Sequence, residues 1–416
     1  MKHFYQTLYP KDWLILLLGL LSLIKVRVIG TFGLCEPIMV ALLPYIIFKH
    51  RSIFRNRRLL ILLSLCLLWL IGATISNIFN HSSDLDFLRG DGSIALYTAI
   101  IPVAYWCLYD KPKRVIYFFA GLAISAILHY YIQERPIMPE RQAYKWIVYA
   151  FQYAIILIAS LCIWKRRLSP VAYIILLSFG VWGLFHFSRN TFLVFTFATV
   201  LIFFAALIKK LTANPFAAQR AFNSNVFLLF VILGITFFGV KTTYEQLASS
   251  GSLGEWPQEK YELQKSSPVG LASGRKDFII SWEVIKESPL LGYGSYAKDK
   301  DLLAYRKARA LDLLYPYEVE QADKATELFL PGHSHILGAW VYNGILGLPV
   351  WLYSLFLIAL FFLKALYRQP SIAPILIVWS MLTVWDILFS PFANRPILAF
   401  FLCSILAILL PIKPNS

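Results

Sequence analysis

The chain has 416 residues, of which 58% are hydrophobic, 16% aromatic and only 15% charged, with a mean hydropathy of +0.63. Soluble domains of ordinary usage are near half apolar and a quarter charged, so the composition excludes one and indicates a polytopic membrane protein. The formal charge of +16 does not signify nucleic-acid binding, because Lys and Arg cluster in short patches between apolar runs, as the positive-inside rule requires.

A membrane-crossing helix needs roughly 20 mostly apolar residues, and by that measure about twelve spans succeed one another. The opening MKHFYQTLYPKDW enters the first apolar run without a small-residue cleavage motif, so that run reads as a retained span and not a signal peptide. Spans 13–29 and 31–48 meet at a tight turn or re-entrant corner carrying Lys25 and Arg27. Spans 59–79, 93–109, 115–132, 146–164, 170–187, 191–208 and 226–240 follow, then a long polar segment, and finally spans 336–363, 374–390 and 396–411. The expected fold is an all-α membrane protein of about 12 transmembrane helices with one large, partly helical loop. Its parts are 1–240 (spans one to nine), 241–333 (loop subdomain) and 334–416 (spans ten to twelve).

Basic residues orient the chain. About 19 fall on one side, among them Lys49, Arg51, Arg55, Arg57, Arg58, Lys111, Lys113, Arg114 and Lys165–Arg167, against about 8 in the short loops opposite. Both termini are therefore expected in the cytoplasm and the 241–333 loop on the far side. That loop holds 12 basic and 14 acidic residues and has helical-looking stretches near 276–287 and 299–328. It reads as a small folded cap, since long loops in compact domains are uncommon unless functional.

All five cysteines (Cys35, Cys66, Cys107, Cys162 and Cys403) lie in apolar runs without CxxC or paired spacing, as buried free thiols would. HExxH does not occur, and no metal site is expected. The acids Glu36 and Asp386 fall inside apolar runs, where they could relay protons in a transporter. The chain shows no internal repeat, which weighs against that reading.

Four places could carry chemistry. Arg275 ends a Ser-Gly-Arg turn before the amphipathic run 276–287; such a turn suits phosphate, or else simply caps a helix with a solvated arginine. Arg189, in HFSRNTF, stands between two apolar runs and either meets an anion or snorkels to the interface. Arg89 has Asp84, Asp86 and Asp91 as candidate ion-pair partners. In PGHSHILGAWVYNGILG (331–347), His333 and His335 are two apart and so face different ways. Pro331-Gly332 breaks the chain ahead of His333 and sets its imidazole at a helix start near the headgroups, where it could accept a proton.

The order SRN (188–190), SGR (273–275), PLLGYGS (289–295) and GHSHILGAWVYNGILG (332–347) resembles the O-antigen ligase and O-antigen polymerase superfamily. Those bacterial inner-membrane enzymes have about a dozen spans and one large late periplasmic loop. Gly344 and Gly347 set the register, so His333 matches the family histidine, and Ser334 replaces the asparagine that commonly follows it. Arg189 and Arg275 match the two arginines that hold the lipid diphosphate.

The resemblance implies metal-independent, inverting transfer of glycan from an undecaprenyl diphosphate-linked donor to an acceptor hydroxyl, with no cofactor. His333 would be the catalytic base, Arg189 and Arg275 the diphosphate ligands, and Arg89, His335 and Ser334 accessory candidates. The acceptor is the lipid A core for a ligase or a lipid-linked repeat for a polymerase, with membrane lipids around the chain. A flippase or transporter without transferase activity and a protein O-oligosaccharyltransferase are the alternatives. Lys145, Arg395, Glu36 and Asp386 are left without an assigned role.

Overall fold

The structure, a computed structural model, describes residues 9–27, 31–164, 168–186, 188–211, 231, 234–266, 276–299, 302–311, 313, 328–365, 372–391 and 396–410. The chain opens with α1 (Pro10–Leu21), a two-stranded hairpin of β1 (Lys25–Arg27) and β2 (Thr31–Gly33), and α2 (Cys35–Lys49). The strands pair antiparallel, with Lys25 opposite Gly33. This revises the two expected spans at 13–29 and 31–48. Helices of 12 and 15 residues rise only about 18 and 22 Å, short of a full hydrocarbon core. The apolar count carries through the hairpin because a strand residue such as Val26 is as hydropathic as a helical one.

The long helices follow: α3 (Arg57–Phe79), α4 (Asp84–Leu108), α5 (Val115–Leu128), α6 (Glu140–Trp164), α7 (Ser169–Phe185) and α8 (Arg189–Leu211). Asn56 starts α3 by accepting from the N–H groups of Arg58 and Leu59, while its amide donates to Tyr105 Oη and the Ala407 carbonyl. Ser83 starts α4 by accepting from Asp86 N–H. Each cap satisfies donors that a helix end leaves open, and Asn56 also ties three segments together.

Residues 234–249 form α9, followed by α10 (Glu255–Ser266), α11 (Lys276–Glu287) and α12 (Leu303–Ala310). The expected helical stretch at 276–287 coincides with α11, and that at 299–328 contains α12; its residues 314–327 lie outside the described residues. Helix α9 runs through position 240, where the spans were expected to give way to the loop.

The last helices are α13 (His335–Asn343), α14 (Pro349–Ala365), α15 (Ala373–Phe389) and α16 (Pro396–Leu409). The single expected span at 336–363 is thus two helices, separated by Gly344 at φ +69° and a 3₁₀ turn at Ile345–Gly347. Hydropathy cannot register that break, since Ile345, Leu346 and Leu348 are as apolar as the helices beside them.

Among the described residues, six helices are long and apolar enough to cross a membrane, with three shorter apolar ones at Ser169–Phe185, Ala373–Phe389 and Pro396–Leu409. Aromatic rings join them: Phe118 stacks on Phe401 at 4.0 Å between centroids, Phe119 meets Trp379 edge-on at 5.0 Å, and Trp69 meets Trp351 at 5.6 Å. These contacts bind α3, α5, α14, α15 and α16 into one core.

At one end of the bundle, buried Arg114 bonds Asp12 at 2.5 Å and Asp110 at 2.6 Å, pinning α1 to the α4–α5 turn. The other end carries the α3–α4 turn, the 288–299 segment and the approach to α13, and it is here that the candidate residues gather.

Candidate functional site

Two turns build this end. Gly292 and Gly294 adopt φ +70° and +85°, so the chain after α11 folds back as a strap over α13. Tyr293 N–H donates to the Val341 carbonyl (2.9 Å), Gly294 N–H to that of Tyr342 (2.9 Å), and Ile345 N–H to that of Leu290 (3.2 Å). The end of α3 grips the same strap from below. Asn77 Oδ1 accepts from Ser295 N–H at 2.6 Å, Ser76 Oγ accepts from Gly294 N–H at 3.0 Å, and Asn80 donates to the Gly292 carbonyl at 3.2 Å. Asp91 on α4 completes the network, accepting from Thr74 Oγ at 2.5 Å and Asn77 Nδ2 at 2.7 Å. PLLGYGS is therefore a structural clasp that joins the loop to the bundle.

Between the clasp, α4 and the approach to α13 lies a cavity of about 410 Å³. Trp69, Tyr97, Tyr296, Phe329 and Tyr342 supply aromatic walls; Ser93, Ser295 and Asn343 add polar groups, and His333 and Asp277 stand together on its lining.

His333 Nδ1 lies 3.2 Å from Asp277 Oδ2, and the imidazole is 55% exposed. Asp277 is in the first turn of α11, so α11 brings a carboxylate to the histidine from 56 positions upstream. A carboxylate on Nδ1 selects the tautomer with Nδ1–H, leaving Nε2 as the acceptor for a proton. The sequence reading missed Asp277; its only sequence signal was its place two residues after Arg275 on an amphipathic run.

The other histidine goes elsewhere. His335 is fully buried, its ring edge-on to Trp351 at 4.9 Å between centroids, and it does not line the cavity. His333 lies in non-helical chain ahead of the extended N-cap Ser334, whereas His335 is the first residue of α13, and there its ring enters the core. Ser334 is buried as the N-cap of α13, accepting from Leu337 N–H and donating to the Ile387 carbonyl at 2.9 Å. Both accessory candidates are thus placed in the packing of α13.

Arg189 begins α8. Its guanidinium lies 5.0 Å over the Tyr244 ring and donates to Gln264 Oε1 at 3.2 Å, so α9 and α10 cover it from the loop side. Ser188 beside it bonds Asn190 Oδ1 and Thr191 Oγ1, and Tyr149 Oη also donates to Asn190 Oδ1. SRN therefore holds one arginine between two structural neighbours. Arg189 does not line the His333 cavity; α15 packs against α8 and also against α13. Arg275 and Arg395 lie outside the described residues.

Arg89 sits on α4 one residue from the cavity wall, with Nη1 3.9 Å from Asp86 Oδ1. It acts on Tyr296: burial raises the hydroxyl above its usual pKa, Arg89 opposes that, and Asp86 adds to it. Lys145 is exposed on α6. Glu36 accepts from Gly33 N–H at 3.2 Å, and Asp386 accepts from Ser390 Oγ at 2.6 Å. Both acids thus bond groups at the ends of their own helices.

The architecture defines a class: a helical polytopic membrane protein with a cavity roofed by an extramembrane loop at one end. Residues 172–352 match the O-antigen ligase family model. That segment runs from α7 into α14 and includes Arg189, Arg275, Asp277, His333 and Gly344. Over that segment the chain is similar to the O-antigen ligase family. No curated protein and no solved structure matches the chain.

Proposed function

We propose that the protein is a metal-independent, inverting glycosyltransferase that moves an undecaprenyl diphosphate-linked surface glycan onto an acceptor hydroxyl at the periplasmic face of the bacterial inner membrane, with both termini cytoplasmic. The observation that carries the reading is the His333–Asp277 pair on the lining of an aromatic, partly polar cavity, inside the segment that matches the family.

The acceptor hydroxyl gives its proton to His333 Nε2 while its oxygen attacks the donor's anomeric carbon. Asp277 holds Nδ1–H and stabilises the imidazolium that forms. The bond from the anomeric carbon to the diphosphate oxygen breaks as the new glycosidic bond forms, so one displacement inverts the centre and releases undecaprenyl diphosphate. Arg189 and Arg275 neutralise the charge gathering on that leaving group, since a guanidinium is permanently cationic and matches phosphate oxygens in pairs. The stacking of Arg189 on Tyr244 fixes its direction in advance.

Between the two acceptors, we favour a growing lipid-linked repeat, as for a polymerase, over the lipid A core of a ligase, because 332–347 resembles polymerases and the loop is compact. The test is the lipopolysaccharide ladder of a deletion strain complemented with native, His333→Ala or Arg275→Ala protein. Core bearing a single repeat identifies a polymerase, and bare core with accumulated long lipid-linked polymer a ligase. A normal ladder with both variants, each shown to be in the membrane, removes the mechanism.

A further inference from the structure

We propose that His129 is a pH-sensitive latch, which as an imidazolium fastens the β1–β2 hairpin to the end of α5 and on losing a proton to water loosens it. Helix α5 starts beside Arg114, so its far end lies at the cavity end of the bundle. There it passes into a π-helical turn, His129–Glu134, closed by Arg135 N–H on the Tyr130 carbonyl at 2.7 Å. A π-turn bonds residue i to i+5, so it brings residues four and five places ahead over one side chain, where an α-helix brings three and four.

Both of those residues meet the His129 ring, which is 13% exposed. Nδ1 is 2.7 Å from Gln133 Oε1, and Nε2 is 3.0 Å from Glu134 Oε1. The direction of the Gln133 amide is fixed independently. Its Nε2 donates to the Lys25 carbonyl at 3.1 Å while its Oε1 accepts from Lys25 N–H at 3.3 Å. Turned over, the amide would set donor on donor and acceptor on acceptor. Each imidazole nitrogen therefore faces an acceptor, and a neutral ring has a single N–H to offer. Loss of the proton on Nε2 leaves a lone pair against the Glu134 carboxylate, and loss of the one on Nδ1 releases Gln133.

One turn earlier on α5, Ser125 Oγ accepts from Leu23 N–H at 3.1 Å. Ser125 and Gln133 thus hold the chain entering β1, and His129 stands between them. The hairpin leads into α2, which packs on α4, and α4 walls the cavity with Ser93 and Tyr97. The elements packed on the π-turn also carry Lys25 on β1 and Glu140, Arg141, Tyr144 and Lys145 in the first turns of α6, with Tyr130, Tyr131 and Arg135 in and after the turn itself; α5 has no charged residue. Glu134 supplies the carboxylate bonded to the ring. On the periplasmic side proposed above, the latch would follow the pH of the surroundings.

The first test is nitrogen NMR of protein labelled at its 7 histidines, with His129→Gln identifying the signal by difference. Both ring nitrogens of His129 should be protonated at pH 7, where an exposed histidine is mostly neutral, and Glu134→Gln should leave the ring neutral at that pH. A neutral ring in the native protein, or a ring still charged in Glu134→Gln, would overturn the proposal. The second test is hydrogen exchange of residues 23–33, corrected for the intrinsic pH dependence of exchange. Protection should fall at least about tenfold between pH 7 and pH 9, the loss of a hydrogen bond to a charged group, and should not change with pH in His129→Gln. Glu36, which accepts from Gly33 N–H on the same hairpin, is common to both proteins and cancels in the comparison. The same pH response in both proteins would refute the latch. Neither measurement needs turnover, so the latch stands or falls apart from the transferase reading.

Discussion

Gly344→Ala tests the clasp, because the size of its effect follows from the geometry. A Cβ at position 344 would stand 2.1 Å from the Leu290 carbonyl oxygen and 2.7 Å from the carbonyl carbons of Leu290 and Leu291. These are backbone atoms that no rotamer change can move aside. Reaching an ordinary contact of about 3.4 Å requires the strap to retreat by about 1.3 Å, which breaks the hydrogen bonds joining Ile345 to Leu290, Tyr293 to Val341 and Gly294 to Tyr342. Three such bonds at about 1 kcal/mol each, with about 1–3 kcal/mol for φ +69° and ψ -167° in a residue with a Cβ, come to about 4–6 kcal/mol. The assay is thermal unfolding of purified protein in detergent, with Gly332→Ala as control. At that site φ is not positive and the nearest neighbours are the edge atoms of the Tyr342 ring at 3.0 Å, which can give way. Gly344→Ala should melt at least about 5 °C below native and Gly332→Ala close to it. If both melt with the native protein, the clasp does not hold α13 as described.

Other consequences can be measured separately. Asp277→Asn keeps the size of the side chain but loses the charge that stabilises the imidazolium; kcat should fall at least about tenfold with the acceptor KM little changed, as initial rates at saturating donor would show. Arg189→Lys should lower kcat although charge is retained, since an ammonium cannot present a paired donor fork to a diphosphate; equal rates for Lys and Arg would contradict that role. Asp12→Ala removes the 2.5 Å partner of buried Arg114 while Asp110 remains at 2.6 Å, and should cost about 1.5–3 kcal/mol, the worth of a charged hydrogen bond, read as a lower melting temperature. Burial alone would raise the Asp110 carboxyl, but the hydrogen bond from Arg114, its own backbone N–H and the charges of Lys11 and Arg114 outweigh that and hold it below the usual carboxylate range. The stability it adds is therefore present above the unfolded carboxylate pKa of about 3.9 and is lost as pH falls through the lower folded value; Asp110→Asn should remove that part of the acid dependence.

The class of the molecule, its long helices and α11 were legible because each is a local property: twenty apolar residues, or an amphipathic run of twelve. Position 333 was legible because Pro331-Gly332 announces a break just before a helix. The split between α13 and α14 was not, since it depends on the Leu290 carbonyl pressing against residue 344, a contact of two segments 54 positions apart. The pairing of His333 with Asp277 is hidden for the same reason. PLLGYGS illustrates the converse: its glycines are conspicuous in sequence, but what they do is visible only when Asn77, Ser76 and Asn80 are seen to grip them. His335 looks equivalent to His333 until the start of α13 carries it into the core against Trp351.

The most direct measurement of the central claim is glycan transfer in liposomes by purified native and His333→Ala protein supplied with undecaprenyl diphosphate-linked donor and acceptor. The account requires a new glycosidic product with native protein and none above background with a folded, membrane-inserted His333→Ala variant. Product formed by that variant at the native rate, or donor carried across the bilayer by native protein without any new glycosidic bond, would contradict it.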